Sequence, residues 1–268
     1  MKTFSTLKLF LATGLLVGML SSCAPTVTTY QLKPVSGDVT MIDGRSVTKA
    51  EENGVGVVAS FEREDLEFVT LDIEIKNYTN QPIEVNPADF RLVALGAAQD
   101  TLSDPRNPAL PLHRVAADPT YEAGRIGFKR KQEEKRLKRA KVFNTILMVA
   151  AVASDVSSSS RSRSYGEYVN NRITHNVAYQ GIAIKRAIDY GTFSSRMQRY
   201  DYEEYRWREL ALRANTLAPG ESVRGFVYLP KVQDARYLAI SYNLPGRATV
   251  PLLFQQELVR QRKARQRR

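Results

Sequence analysis

Val69-Thr70-Leu71-Asp72-Ile73-Glu74-Ile75-Lys76 alternates apolar and polar side chains at every step. That period of two belongs to a β-strand with one face in a core and the other in water. Just beyond it, Asn77-Tyr78-Thr79-Asn80 predicts a turn, Ile83 to Val85 a short strand, and Asn86-Pro87-Ala88-Asp89 a second turn. Phe90-Arg91-Leu92-Val93 resumes the alternation, so Val55 to Ala94 reads as a run of strands. Prolines 105, 108, 111 and 119 then mark a long irregular connection.

Strands return near the other end. In Leu217-Ala218-Pro219-Gly220-Glu221, Pro219 presets φ for the second position of a type II turn, and Gly220 supplies the positive φ of the third. Ser222 to Leu229, Tyr237 to Asn243 and Thr249 to Gln255 follow as short strands, with a turn at Asn243 to Gly246. Gly225, inside one of them, marks a bulge or a close backbone approach. Short strands divided by such turns predict an antiparallel sandwich.

Those residues together resemble the telokin-like immunoglobulin-fold domains of bacterial exported proteins and lipoproteins. The strand ending at Asn77, then Asn86-Pro87 with Asp89-Phe90 and Leu92, and Leu217 to Ser222 with Gly225 and Val227 carry the resemblance. It covers residues 55 to 95 and 215 to 255 and implies a fold, since that family is mostly of unassigned function. More than a hundred residues separate the two halves, where a compact sandwich needs a short loop.

The intervening segment has helical character. Tyr121 to Ser154 lacks proline and is rich in helix formers, with Leu137, Ala140, Phe143, Leu147 and Ala150 three or four apart. Ser154 to Tyr165 holds seven serines and reads as a flexible loop. A second helix is expected over Ile173 to Ala214, with Ala183, Ile184, Ala187 and Ile188 on one side. The fold class is therefore mainly β with an α insertion: an immunoglobulin-like antiparallel sandwich interrupted by a long helical hairpin.

At the N-terminus, Lys2 and Lys8 head an apolar run from Leu9 to Leu20, the anatomy of a secretory signal. Leu20-Ser21-Ser22-Cys23 resembles a bacterial lipobox, which implies cleavage before Cys23 and acylation of that residue. Ala24 stands where an inner-membrane retention signal places aspartate, so the resemblance implies an outer-membrane, lipid-anchored protein in a Gram-negative cell. Removing residues 1–22 from 268 leaves 246. Cys23 is the single cysteine, so once it is acylated no thiol remains for a disulfide, a nucleophile or a metal.

The precursor's formal charge of +11 is concentrated in two places. Arg125, Lys129, Arg130, Lys131, Lys135, Arg136, Lys138, Arg139 and Lys141 oppose only Glu133 and Glu134. Arg260, Arg262, Lys263, Arg265, Arg267 and Arg268 oppose only Glu257. Confined charge of this kind speaks to partners rather than to fold. A polyanion such as acidic lipid headgroups or a wall polymer is one candidate partner; a solvated, solubilising face is the other reading.

Chemistry-bearing patterns are sparse. His113 and His175 have no metal-spaced partners, and neither a nucleophile elbow nor a phosphate-cradling glycine loop is present. Glu62, Glu64, Asp65 and Glu67 read as a solvated hairpin before a calcium loop. Tyr200, Tyr202, Tyr205 and Trp207, interleaved with arginines, read as packing before ligand stacking, and export argues against nucleic acid. The apolar run Val142 to Ala153 spans about 18 Å as a helix, short of a ~30 Å bilayer core. Burial against the second helix, interfacial insertion and docking into a partner remain open for it.

The expected organisation is a signal over 1–22, a tether over 23–35, sandwich over 36–119 and 215–256, a helical insertion over 120–214, and a basic tail over 257–268. The leading functional expectation is a noncatalytic, lipid-anchored envelope protein, without cofactor, whose insertion contacts an envelope protein partner. The alternative is an accessory lipoprotein that binds polyanions through the basic segments; a periplasmic hydrolase comes third, with no residues identified.

Overall fold

A computed structural model describes residues 26–244 and 246–262. In chain order its strands are β1 (Thr26–Pro34), β2 (Asp38–Ile42), β3 (Arg45–Glu52), β4 (Val55–Glu64), β5 (Phe68–Asn77), β6 (Ile83–Val85), β7 (Phe90–Leu95), β8 (Ser103–Asp104), β9 (Asn107–Pro111) and β10 (His113–Val115). Helices α1 (Pro119–Arg161) and α2 (Tyr165–Tyr205) follow, then β11 (Asn215–Leu217), β12 (Ser222–Pro230), β13 (Tyr237–Leu244) and β14 (Ala248–Arg262). One five-stranded sheet has the order β1-β14-β13-β7-β10 and the other β12-β5-β4-β3-β2, with every pairing antiparallel.

The core lies between these sheets and follows the alternation. Val69, Leu71, Ile73 and Ile75 of β5 are fully buried, facing Phe90, Leu92 and Ala94 of β7, Leu238 and Ile240 of β13, and Val250, Leu252 and Phe254 of β14. The fold is mainly β, a sandwich interrupted by a long helical hairpin. No residue of either helix enters this core cluster. The expected turn at 217–221 forms with Gly220 at φ +84°. Asn77 ties it to the neighbouring turn, its Nδ2 donating to Leu217 O at 3.0 Å and to Gln81 O at 2.8 Å.

Two boundaries differ from expectation. Residues 26–34, expected within a tether, form β1 and pair with β14 from Thr26↔Arg262 to Pro34↔Phe254. The tail expected from 257 accordingly begins inside a strand. Leu32, 3% exposed, is the side chain that draws β1 into the core. Cys23, Lys263, Arg265, Arg267 and Arg268 lie outside the described residues, as do the side-chain positions of Arg260 and Arg262.

Candidate functional site: the helical hairpin and its root

Each helix starts on a side-chain cap. Asp118 accepts from Thr120 N at 2.8 Å ahead of Pro119, a residue suited to the first helical position. Ser164 accepts from Glu167 N at 3.2 Å while Glu167 accepts from Arg163 N at 2.9 Å, a variant of the capping box. The helices are 43 and 41 residues long, about 60–65 Å at 1.5 Å per residue. Apart from the root, the two helices pack on each other and project from the sandwich.

The seam between them is largely polar. Arg130 meets Glu204 at 2.7 Å and Asp201 at 2.9 Å, and Arg196 meets Glu133 at 2.6 Å. Asn144, 3% exposed, donates to Asp189 Oδ2 at 2.9 Å, beside Lys185 at 2.7 Å. Those two bonds, the Lys185 one foremost, hold the Asp189 carboxyl below the usual carboxylate range. Further out, Asp155 accepts from Arg172 and Tyr179 at 3.2 Å each, and Ser158 Oγ lies 2.7 Å from His175 Nε2. These contacts carry α1 through the serine run to Arg161, so the loop expected over 154–165 is only residues 162–164.

Ile182 is buried in the seam and Leu137, Leu147 and Met148 are half-buried beside it, but many of the larger apolar side chains face outward. Val142, Ile146, Val149 and Val156 recur at spacings of three, four and seven along α1 and are 59–65% exposed. Ile173, Val177, Ile184 and Ile188 of α2 are 58–64% exposed. Burial of the run Val142 to Ala153 against the second helix holds only in part: Asn144 is buried and Leu147, Met148 and Ala151 half-buried at the seam, whereas Val142, Phe143, Ile146, Val149 and Val152 face outward. α1 is long and apolar enough over an 18-residue window to cross a membrane, with only 11% of that window buried.

At the root the chain leaves α2 through a π-helical turn, Arg206–Leu210, rather than continuing as helix to 214. The turn drives Trp207, 2% exposed, onto the outer face of β5 and β12. Its ring meets Phe68 edge-on at 5.5 Å and Tyr228 at 4.2 Å, with Ala123, Ile126, Tyr200 and Ala211 around them. The Arg206 guanidinium sits 5.0 Å from both the Trp207 and Tyr228 rings and pairs with Asp65. Leu212 then runs against β12, where a Cβ on Gly225 would fall 2.6 Å from its Cα. That is the close approach expected of this glycine.

Burial pushes the Tyr228 hydroxyl up to about 12, against the pull of Arg206 and Arg63. Between pH 10 and 12 the unfolded chain loses this proton first, so the native state loses stability as pH rises through that window. Because this hydroxyl has no hydrogen-bond partner among the described residues, Tyr228→Phe should cost little at pH 7. It should also remove about 2–3 kcal/mol of the stability lost by pH 12. Urea titrations of both proteins at pH 7, 10 and 12 check this; equal losses in both would refute it.

The sequence-predicted site residues divide sharply. Arg125 pairs with Glu67 at 2.7 Å and Glu122 at 2.8 Å; Arg130 is in the seam; Arg136 lies 3.6 Å from Glu133. Lys129, Lys131, Lys135, Lys138, Arg139 and Lys141 have no ion pair among the described residues. In the acidic cluster Glu62 pairs with Arg45, Glu64 with Lys231, Asp65 with Arg206 and Glu67 with Arg125. Among the described residues no group of His, Cys, Asp or Glu could hold a metal. Tyr200 and Trp207 pack at the root, whereas Tyr202 and Tyr205 are half exposed. A cleft of about 730 Å³ opens beside the root between Asn86–Ala88 and Asp118–Gly124. The packing expected of Trp207 is found at the root, whereas the outward apolar stripes are the feature that sequence reasoning missed; the three- and four-residue spacing was visible, but not which of two stripes the partner helix covers. The chain matches no family model, no curated protein and no solved structure.

Proposed function

We propose that this chain is a noncatalytic, lipid-anchored cell-envelope protein whose telokin-like sandwich is a scaffold for holding the helical hairpin out toward a protein partner. The observation that carries the reading is the outward apolar surface of the hairpin, eight Val and Ile side chains each more than half exposed. Soluble monomers rarely leave sustained apolar stripes of this kind uncovered, and their usual meaning is a contact site. Anchorage at Cys23, with outer-membrane localisation, is part of this proposal and rests on the lipobox resemblance.

A second reading has its own observation: six cations of the basic stretch Arg125 to Lys141 lack an acidic partner among the described residues, and Lys131, Lys135, Lys138 and Arg139 lie on the face away from the seam. Those positions fit an anionic headgroup or wall polymer. One experiment separates the two. The tagged full chain is used to pull down envelope fractions, and is separately mixed with anionic and neutral vesicles. Under the leading reading, Ile146→Lys/Ile184→Lys abolishes protein capture, and 1 M salt, where the Debye length is about 3 Å, leaves wild-type capture intact. Vesicle binding that is anionic-only and lost in salt, with capture unaffected by the double variant, would replace it with the second.

A further inference from the structure

The two outward stripes have a relation that a single partner helix would not require. At about 100° per residue, Val142, Ile146, Val149 and Val156 lie roughly opposite the seam position Asn144 on α1. Ile173, Val177 and Ile184 lie likewise opposite Ile182 on α2, while Ile188, about 120° from it, stands at the flank beside Glu133, Arg136, Leu137 and Ala140 of α1. Each helix thus has two contact faces, one turned to its partner within the hairpin and one turned away. The stripes consequently occupy opposite edges of the hairpin, one on each helix.

They are also level. The contacts Asn144–Asp189 and Ser158–His175 fix the antiparallel register of the helices. Stepping along that register sets Val149 opposite Ile184 and Val156 opposite Val177. A neighbouring copy moved sideways, with no shift along the hairpin axis, therefore brings its α2 stripe against this copy's α1 stripe. We propose that copies of this chain assemble head to tail through the hairpins, α1 of one against α2 of the next, as a ring or row standing in one orientation. This rests on the reading of the hairpin as a protein-contact element and names its partner as a second copy.

Three further observations favour that occupant. The spacings of three and four residues on α1 are those of knobs-into-holes helix packing. Each interface would join one stripe from each copy, on the order of 600 Å² of apolar surface in total, a weak contact taken singly that suits a ring or row of many copies over an isolated pair. Nearer the root, Lys131, Lys135 and Lys138 of α1 stand level with Tyr202, Gln198 and Ser195 of α2, so the packing opposes no like charges. A bilayer fits less well. α2 carries Lys185, Arg186 and Asp189 at the depth of Asn144, and its outer flanks hold Asn176 and Gln180. The stripes themselves run about 21–23 Å, short of a ~30 Å hydrocarbon core.

The test uses the full chain in mild detergent with a short bis-maleimide cross-linker. Val149→Cys/Ile184→Cys should give a ladder of covalent dimers, trimers and higher species, because the two thiols face opposite edges and cannot be bridged within one hairpin. Either single variant should give no more cross-linking than wild type. Adding Ile146→Lys to the double-cysteine chain should reduce the ladder at least tenfold, with helix content unchanged by circular dichroism. Dimers from Val149→Cys alone would mean like-with-like packing and overturn the head-to-tail arrangement. No ladder, with position 149 labelled instead by a photoreactive lipid, would assign the stripes to a bilayer and overturn self-assembly. No ladder together with a retained foreign partner in the pull-down would overturn this inference and leave the protein-contact reading standing.

Discussion

Trp207→Ala should lower the stability with which the hairpin root docks on the sandwich by about 3–5 kcal/mol, the usual cost of emptying a buried tryptophan site. The site has little freedom to collapse. Phe68 and Tyr228 are set by strands β5 and β12, and Ala123, Ile126 and Tyr200 by the first and last turns of the two helices. The guanidinium of Arg206 would lose one of the two aromatic faces it lies over while remaining paired to Asp65. Against a total stability of order 5–15 kcal/mol this is a large loss. Trp207 is the only tryptophan, so in the wild type its emission reports root undocking directly. In the variant, denaturant titration by circular dichroism and proteolysis around residues 116–122 and 206–214 take its place. Unfolding curves that superimpose would show that the root cluster does not hold the hairpin.

The parts of the fold legible in the sequence are those fixed by neighbours in the chain. The alternation from Val69 to Lys76 depends only on which side of one strand faces the core, and the turn at 217–221 only on Pro219 and Gly220. β1 escaped because what makes residues 26–34 a strand is β14, more than two hundred residues away, together with the burial of Leu32. Its own composition, rich in Thr and bounded by prolines, reads equally well as a tether. The serine run 154–160 failed for the converse reason. Serine competes with the helix backbone in isolation, but here Asp155 and Ser158 find partners on α2, and tertiary context overrides propensity.

The candidate site was half legible for a more specific reason. Leu137, Ala140, Phe143, Leu147 and Ala150 do recur at helical spacing, yet a helix with two contact faces offers two such series. Composition favours placing the more apolar one inside the hairpin. The molecule mixes the two over its outer half, with Asn144, Asp189 and Lys185 beside Leu147, Met148 and Ile182 in the seam and most of the valines and isoleucines outside. A buried asparagine in a helical seam costs stability but fixes register. A fixed register in turn keeps the two outward stripes level.

Excising the outer hairpin should separate what the sandwich needs from what the hairpin does. Replacing residues 134–195 with four Gly/Ser residues, which reach about 13 Å, closes the 8–10 Å between packed helix axes. It also keeps Ala123, Ile126, Tyr200 and Trp207 at the root. No residue between 134 and 195 belongs to either buried cluster, so cooperative unfolding should persist with a change within about 1 kcal/mol. Capture of protein partners and the cross-linked ladder should both vanish. Replacing the entire span 120–214 should behave differently, because it removes Trp207 and Ala211 from above Phe68 and Tyr228 and Leu212 from the sandwich core itself. That product should bind a hydrophobic dye and unfold without a sharp transition, whereas the shorter excision should do neither. The functional boundary of the insertion therefore falls inside the helices, a turn or two above the root. If both deletions proved equally cooperative, the root would be a passive contact and the sandwich complete without it.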